Sequence, residues 1–75
     1  MNNKRRSQIN KAQELLNNAL IILEDVYNEE DNAYNNLSEG LQCTMRGEQM
    51  ENNISELEDI IDHINESLGG IDNIE

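Results

Sequence analysis

The sequence predicts an all-α protein, an antiparallel two-helix hairpin that dimerises into a four-helix assembly. Three observations predict it. Apolar residues recur at intervals of three, four and seven in two stretches, the spacing of one face of a helix. Between the stretches, in residues 37–45, Ser38, Gly40 and Thr44 interrupt the pattern. Apolar residues make up 36% of the chain, and neither Trp nor Phe is present, whereas globular domains reach roughly 45–50% with glycine counted. A chain of 75 residues with so few large side chains has a thin core, and self-association is the simplest remedy. Residues 1–75 read as a single helical-hairpin domain.

The first helix is expected at about 4–36. Ile9, Leu16, Leu23, Glu30 and Leu37 form one column spaced by seven, and Ala12, Ala19, Val26 and Ala33 form a second. These are the a and d positions of a heptad. Leu15, Leu20, Ile22, Tyr27 and Tyr34 flank them, so the apolar face is wider than a two-stranded seam and suits more than one neighbouring helix. Glu30 is the one acid at an a position; it either fixes register, as a polar a residue does, or faces water.

The connection at 37–45 is expected to be a loop. Leu41 and Met45 are its apolar members and are expected to fold back over one end of the helices. Thr44 is the expected N-cap of the second helix, because its hydroxyl can accept from a free N–H of the first turn. A short connection makes neighbouring helices antiparallel.

The second helix is expected at about 46–68. Met50, Ile54, Leu57, Ile61, Ile64 and Leu68 are spaced 4, 3, 4, 3, 4, with Ile60 widening the stripe. Gly69-Gly70 reads as its C-cap, leaving 69–75 as a tail. At 1.5 Å per residue the two helices would be about 48 and 34 Å long.

Net charge is −11, and the bases are Lys4, Arg5, Arg6, Lys11 and Arg46. All sixteen acids lie after Lys11. Such a surface repels nucleic-acid phosphates and anionic membranes and attracts a basic partner. A hairpin would set Lys4, Arg5 and Arg6 beside Glu66, Asp72 and Glu75. No apolar segment follows the N-terminal bases, so no signal peptide is expected. No run approaches the ~18 apolar residues that span a bilayer. The expected location is the cytoplasm.

The residues that could carry chemistry are few. His63 shares a helix face with Asp59 and Glu66, but Ile60 stands where a Glu-x-x-His metal site needs its acid. No metal or cofactor is expected. The single Cys43 has only Arg46 near it in sequence and is expected to be an unactivated thiol. With no paired acid and base in a closed cleft, no enzymatic activity is expected. Tyr27, Tyr34, Leu41 and Met45 are the candidates for partner binding, since tyrosine and exposed apolar side chains anchor interfaces. The outward positions of the second helix carry Glu48, Glu51, Glu56, Glu58, Asp59, Asp62 and Glu66. Of these, Glu56, Asp59, Asp62 and Glu66 are the candidate acidic face.

The segment Ala33-Tyr34-Asn35-Asn36-Leu37-Ser38-Glu39-Gly40-Leu41-Gln42, followed by Arg46-Gly47-Glu48-Gln49-Met50, resembles small acidic helical proteins encoded by phages and mobile elements of Firmicutes. The Lys-Arg-Arg start and the Leu-rich acidic second helix extend the resemblance over most of the chain. In that family a Pro tends to follow the Leu that here is Leu37; Ser38 departs from this, as does Gly40. The resemblance implies a bacterial or phage cytoplasm and no assigned activity. Together these features suggest a non-enzymatic interaction protein that forms a homodimer. The alternative is a phage-type inhibitor whose carboxylates imitate nucleic-acid phosphates and occupy a basic host protein.

Overall fold

A computed structural model describes all 75 residues. Its elements are α1 (Asn3–Asn35), α2 (Glu39–Gln42) and α3 (Met45–Asp72), with no strand. The Cα envelope measures 58 × 15 × 13 Å. That is the outline of two helices of about 2.3 Å backbone radius lying side by side some 8–10 Å apart.

Each helix starts on a side chain suited to the task. Asn2 is extended (φ −77°, ψ 169°), and its side-chain oxygen accepts from the Arg5 N–H at 2.9 Å. Ser38 does the same for α2, accepting from Leu41 at 3.4 Å. Thr44 caps α3 as expected, with its hydroxyl accepting from the Gly47 N–H at 3.3 Å. These contacts satisfy N–H groups that have no partner inside their own helix.

The connection holds more order than a plain loop. α2 occupies its middle, and its last residue, Gln42, turns inward. The Gln42 side-chain amide donates to the Tyr34 carbonyl at 3.1 Å and the Leu37 carbonyl at 3.3 Å. It thereby ties down the end of α1, where carbonyls lack helical donors. The Gln42 backbone presses on the first turn of α3. A Cβ added to Gly47 would sit 2.2 Å from the Gln42 carbonyl oxygen, so only glycine permits this approach. Gly47 and Met50 are the only buried residues. Leu41 and Met45, expected to fold back over the helices, instead point outward, 53% and 85% exposed. The inward positions belong to half-buried Leu37 and Gln42, because the amide of Gln42 has carbonyls to bond there and an apolar side chain would leave them unmatched.

α1 and α3 meet along their length. Gln13 donates to Asp72 (3.0 Å), Tyr27 to Glu58 (2.8 Å), and Tyr34 to Glu51; Glu30 accepts from Asn53 (3.2 Å). As numbers rise along α1 from 13 to 34, partners fall along α3 from 72 to 51. On α3 the half-buried residues Ile54, Leu57, Ile61, Ile64 and Leu68 follow the expected stripe, and Ile71 extends it.

On α1 the facing columns differ from the expectation. The column Ile9, Leu16, Leu23, Glu30 and Leu37 is half-buried, but its companion is Gln13, Leu20, Tyr27 and Tyr34. Of the expected second column, Ala12 and Ala19 are half-buried, while Val26 and Ala33 are exposed. The tyrosines and Gln13 reach hydrogen-bond acceptors on α3, which an alanine cannot, and this turns α1 about its axis toward them. Glu30 is half-buried and accepts from Asn53 of α3.

The glycine cap is also overturned. α3 runs through Gly69 and Gly70 to Asp72, with Asn73 as its C-cap, and no glycine has positive φ. Two helical glycines cost about 1 kcal/mol each against alanine. The helix persists because Ile71 lies in step with Ile64 and Leu68, and because Asp72 is held by Gln13.

The glycines should respond oppositely to substitution. Gly47→Ala is expected to destabilise by about 1–3 kcal/mol through overpacking, despite alanine's better helix propensity. Gly69→Ala and Gly70→Ala, with nothing within 4 Å of an added Cβ, should each stabilise by about 0.5–1 kcal/mol. Denaturant midpoints at one fixed protein concentration would check all three; a harmless Gly47→Ala would refute the close-approach account.

Candidate functional site

Two tyrosines bridge the helices. Tyr27 and Tyr34 lie seven residues apart on α1, and their acceptors Glu58 and Glu51 lie seven apart on α3. A spacing of seven returns to nearly the same side of a helix, so the two bridges stack along one edge of the pair. Both phenols are held above their ordinary value of 10.0. For Tyr27 the main cause is donation to the Glu58 carboxylate, followed by desolvation and the negative charges of Glu58 and Asp31. For Tyr34 it is donation to Glu51, followed by desolvation and the charges of Glu51 and Cys43. Ionising either phenol removes the donated proton and sets two negative charges face to face.

Glu51 and Glu58 count among the outward acids in the sequence reading, yet they serve as internal partners. The matching seven-residue spacings were the signal that could have singled them out. Glu56, Asp59, Asp62 and Glu66 remain exposed and take no part in the bonds between α1 and α3. Around Tyr27, an open groove is walled by Glu24 and Asn28 from α1 and by Glu58, Asp62 and Asn65 from α3. Three carboxylates on two walls make this groove suited to a cationic side chain, and Asp62 is the one member of the candidate acidic face within it.

The four partner-binding candidates do not form one patch. Tyr27 and Tyr34 face α3 with their hydroxyls engaged, whereas Leu41 of α2 and Met45 at the start of α3 are exposed. The larger apolar surface is elsewhere. Leu15 (61% exposed), Ile22 (62%) and Val26 (44%) lie along one side of α1, and Ile60 of α3 (41%) is exposed too. Val26 and Ile60 line a common hollow with Leu57 and Glu30, which joins the two helices' exposed apolar groups.

At the open end of the pair, Arg6 lines a hollow with Asp72 and Glu75. The expected approach of the chain's two charged ends therefore holds for these residues; Lys4, Arg5 and Glu66 are not part of that hollow. His63 is exposed, and its carbonyl accepts from the Ser67 hydroxyl at 2.9 Å. Cys43 is an exposed free thiol. No group of three or more His, Cys, Asp or Glu side chains is placed to hold a metal ion, and no helix is long and apolar enough to cross a membrane. No family model, curated protein or solved structure matches the chain.

The tyrosine bridges carry a pH signature. Because the folded-state values are raised above the unfolded 10.0, their stabilisation is complete below about pH 10 and is lost as pH climbs through the folded values. An ultraviolet titration should show both phenols ionising above the free-tyrosine value. The double variant Tyr27→Phe/Tyr34→Phe should lose the part of the alkaline stability decline that these groups cause. Phenols titrating at 10.0 in the folded protein would refute the bridges.

Proposed function

We propose that this chain is a non-enzymatic protein–protein interaction protein of bacterial or phage cytoplasm, a helical hairpin that pairs with a second copy to form a four-helix assembly. One observation carries the reading. The only buried hydrophobic side chain is Met50, at 9% exposure, while Leu15 and Ile22 stay more than 60% exposed. Burying apolar surface yields roughly 25 cal/mol per Å², and contiguous exposed apolar surface marks interaction sites. Leu15, Ile22 and Val26 share one side of α1, so another helix can cover them together. The proposed role needs no cofactor, no membrane and no direct contact with nucleic acid.

A second reading is supported by the acidic groove and by the four carboxylates that the helix pair leaves unengaged. In it, the protein occupies a basic surface on a host nuclease or DNA-binding protein by imitating phosphates. Carboxylates on successive helical turns lie about 5–6 Å apart, near the spacing of phosphates along a strand. Solvated acidic faces are common on helices, which ranks this reading second.

Two measurements test these readings. Light scattering on a sizing column should give about 17 kDa, twice the 8.6 kDa of one chain, and the melting temperature should rise with protein concentration. A monomer at tens of micromolar, about where an obligate dimer persists, would refute self-association. For the second reading, Glu56→Gln, Asp59→Asn, Asp62→Asn and Glu66→Gln are combined and capture from a bacterial lysate is repeated. Unchanged partners would rule out imitation by this face; loss of a DNA-binding partner that DNA also displaces, with the helical spectrum intact, would favour it.

A further inference from the structure

Ala12, Leu15, Ala19, Ile22 and Val26 follow one another at intervals of three and four, the spacing of a seam for another straight helix. At about 100° per residue this seam lies roughly a quarter turn around α1 from the columns that meet α3. Its large members Leu15, Ile22 and Val26 are exposed, with Ala12 and Ala19 half-buried at the edge toward α3, so a helix seated on the large members would not displace α3. Small and large side chains alternate along the seam, so a partner with the same sequence can interdigitate only if its small residues oppose large ones.

Charge along α1 decides the direction. Lys4, Arg5, Arg6 and Lys11 occupy the first third, and the first acid is Glu14. Asp25, Glu29, Glu30 and Asp31 occupy the last third, with Glu24 just before it, and α1 has no base after Lys11. A second α1 in parallel would set bases on bases and acids on acids. Reversed, each basic third runs toward the partner's acidic third. Of these charges, Lys4, Lys11 and Glu29 lie on or beside the seam at about 100° per residue, whereas Arg6, Glu24 and Asp31 lie on the far side of α1. Opposite charges beside an apolar seam set orientation in helix pairs.

We propose that this seam seats α1 of a second copy in antiparallel orientation, related by a two-fold axis between Leu20 and Ile21. In this register Ala19 opposes the partner's Ile22, and Leu15 opposes the partner's Val26. Lys11 comes within one turn of the partner's Glu29. A contact of this kind is self-complementary and closes at two copies, leaving no free seam to propagate. Ile60, beside Val26 in their common hollow, borders the seam and adds to the surface covered. The inference rests on the reading that the chain self-associates, and adds to it the face, the direction and the register.

The experiment places one spin label per chain at Ser7→Cys, in a Cys43→Ser background, and measures the label-to-label distance by pulsed electron paramagnetic resonance. Ser7 would oppose residue 34, so the labels should stand about 40 Å apart at 1.5 Å per residue. A parallel dimer would place them about 10–20 Å apart, given interaxial distances near 10 Å. Ile22→Asp provides the second arm. Because Ile22 is 62% exposed in the single chain, the variant should keep its helical spectrum and lose the dimer. A dimer with a short distance, or one that survives Ile22→Asp, overturns this inference and leaves self-association standing; a monomeric parent protein overturns both.

Discussion

Two helices lying side by side touch along a single line, and away from the turn, where Met50 is buried, no side chain on that line is enclosed on all sides. This constraint shapes the whole molecule. Leucines and isoleucines that would be buried in a three-layer domain are here only half-buried, so apolar contact alone discriminates weakly between registers. Directional bonds take over that task. Gln13, Tyr27, Glu30 and Tyr34 each meet a polar partner on α3. Each such bond contributes modestly when exposed to water, but a slip of one residue would break all of them together. The same constraint leaves Leu15, Ile22 and Val26 exposed along one side of α1, which is the surface on which the proposed assembly rests.

The most closely packed part of the molecule is its turn. Thr44, Gln42, Gly47 and Met50 fall within nine residues, yet they account for the cap of α3, the anchoring of the α1 terminus and both buried positions. Polar side chains and a glycine secure the direction change that an apolar loop was expected to secure. Leu41 and Met45 are thereby released to the surface at the same end.

Much of this architecture was legible in residue spacing. The α3 stripe from Met50 to Leu68 holds to the residue, and Thr44 caps its helix, because strict periodicity and a hydroxyl before it leave few alternatives. The face of α1 was less legible. Its apolar residues fill an arc broad enough to admit two choices of second column, and the choice turned on phenol and amide bonds whose acceptors lie on another helix. Periodicity within one segment carries no information about them. The glycine pair misled for a related reason. Gly69-Gly70 is a stop signal locally, but Ile71 and Asp72 gain contacts across the pair that outweigh a local preference. Of the candidate site residues, the exposed acids could be read from position alone, whereas the separation of Tyr27 and Tyr34 from Leu41 and Met45 depends on how the turn folds.

The asymmetry between the two ends of the rod has a kinetic meaning. At the turn, contacts join residues five to seventeen apart in sequence, as in Gln42 to Leu37 and Tyr34 to Glu51. At the far end, Gln13 must find Asp72 across 59 residues. Loop-closure entropy grows with separation, so the turn is the cheapest place to begin, and the helices close from it like a zipper. The far end also carries Gly69 and Gly70, whose helix propensity is low. Backbone amides there should exchange with solvent first, and opening should travel toward the turn, so the molecule frays from its termini while the clamp around Gly47 is the last part to let go.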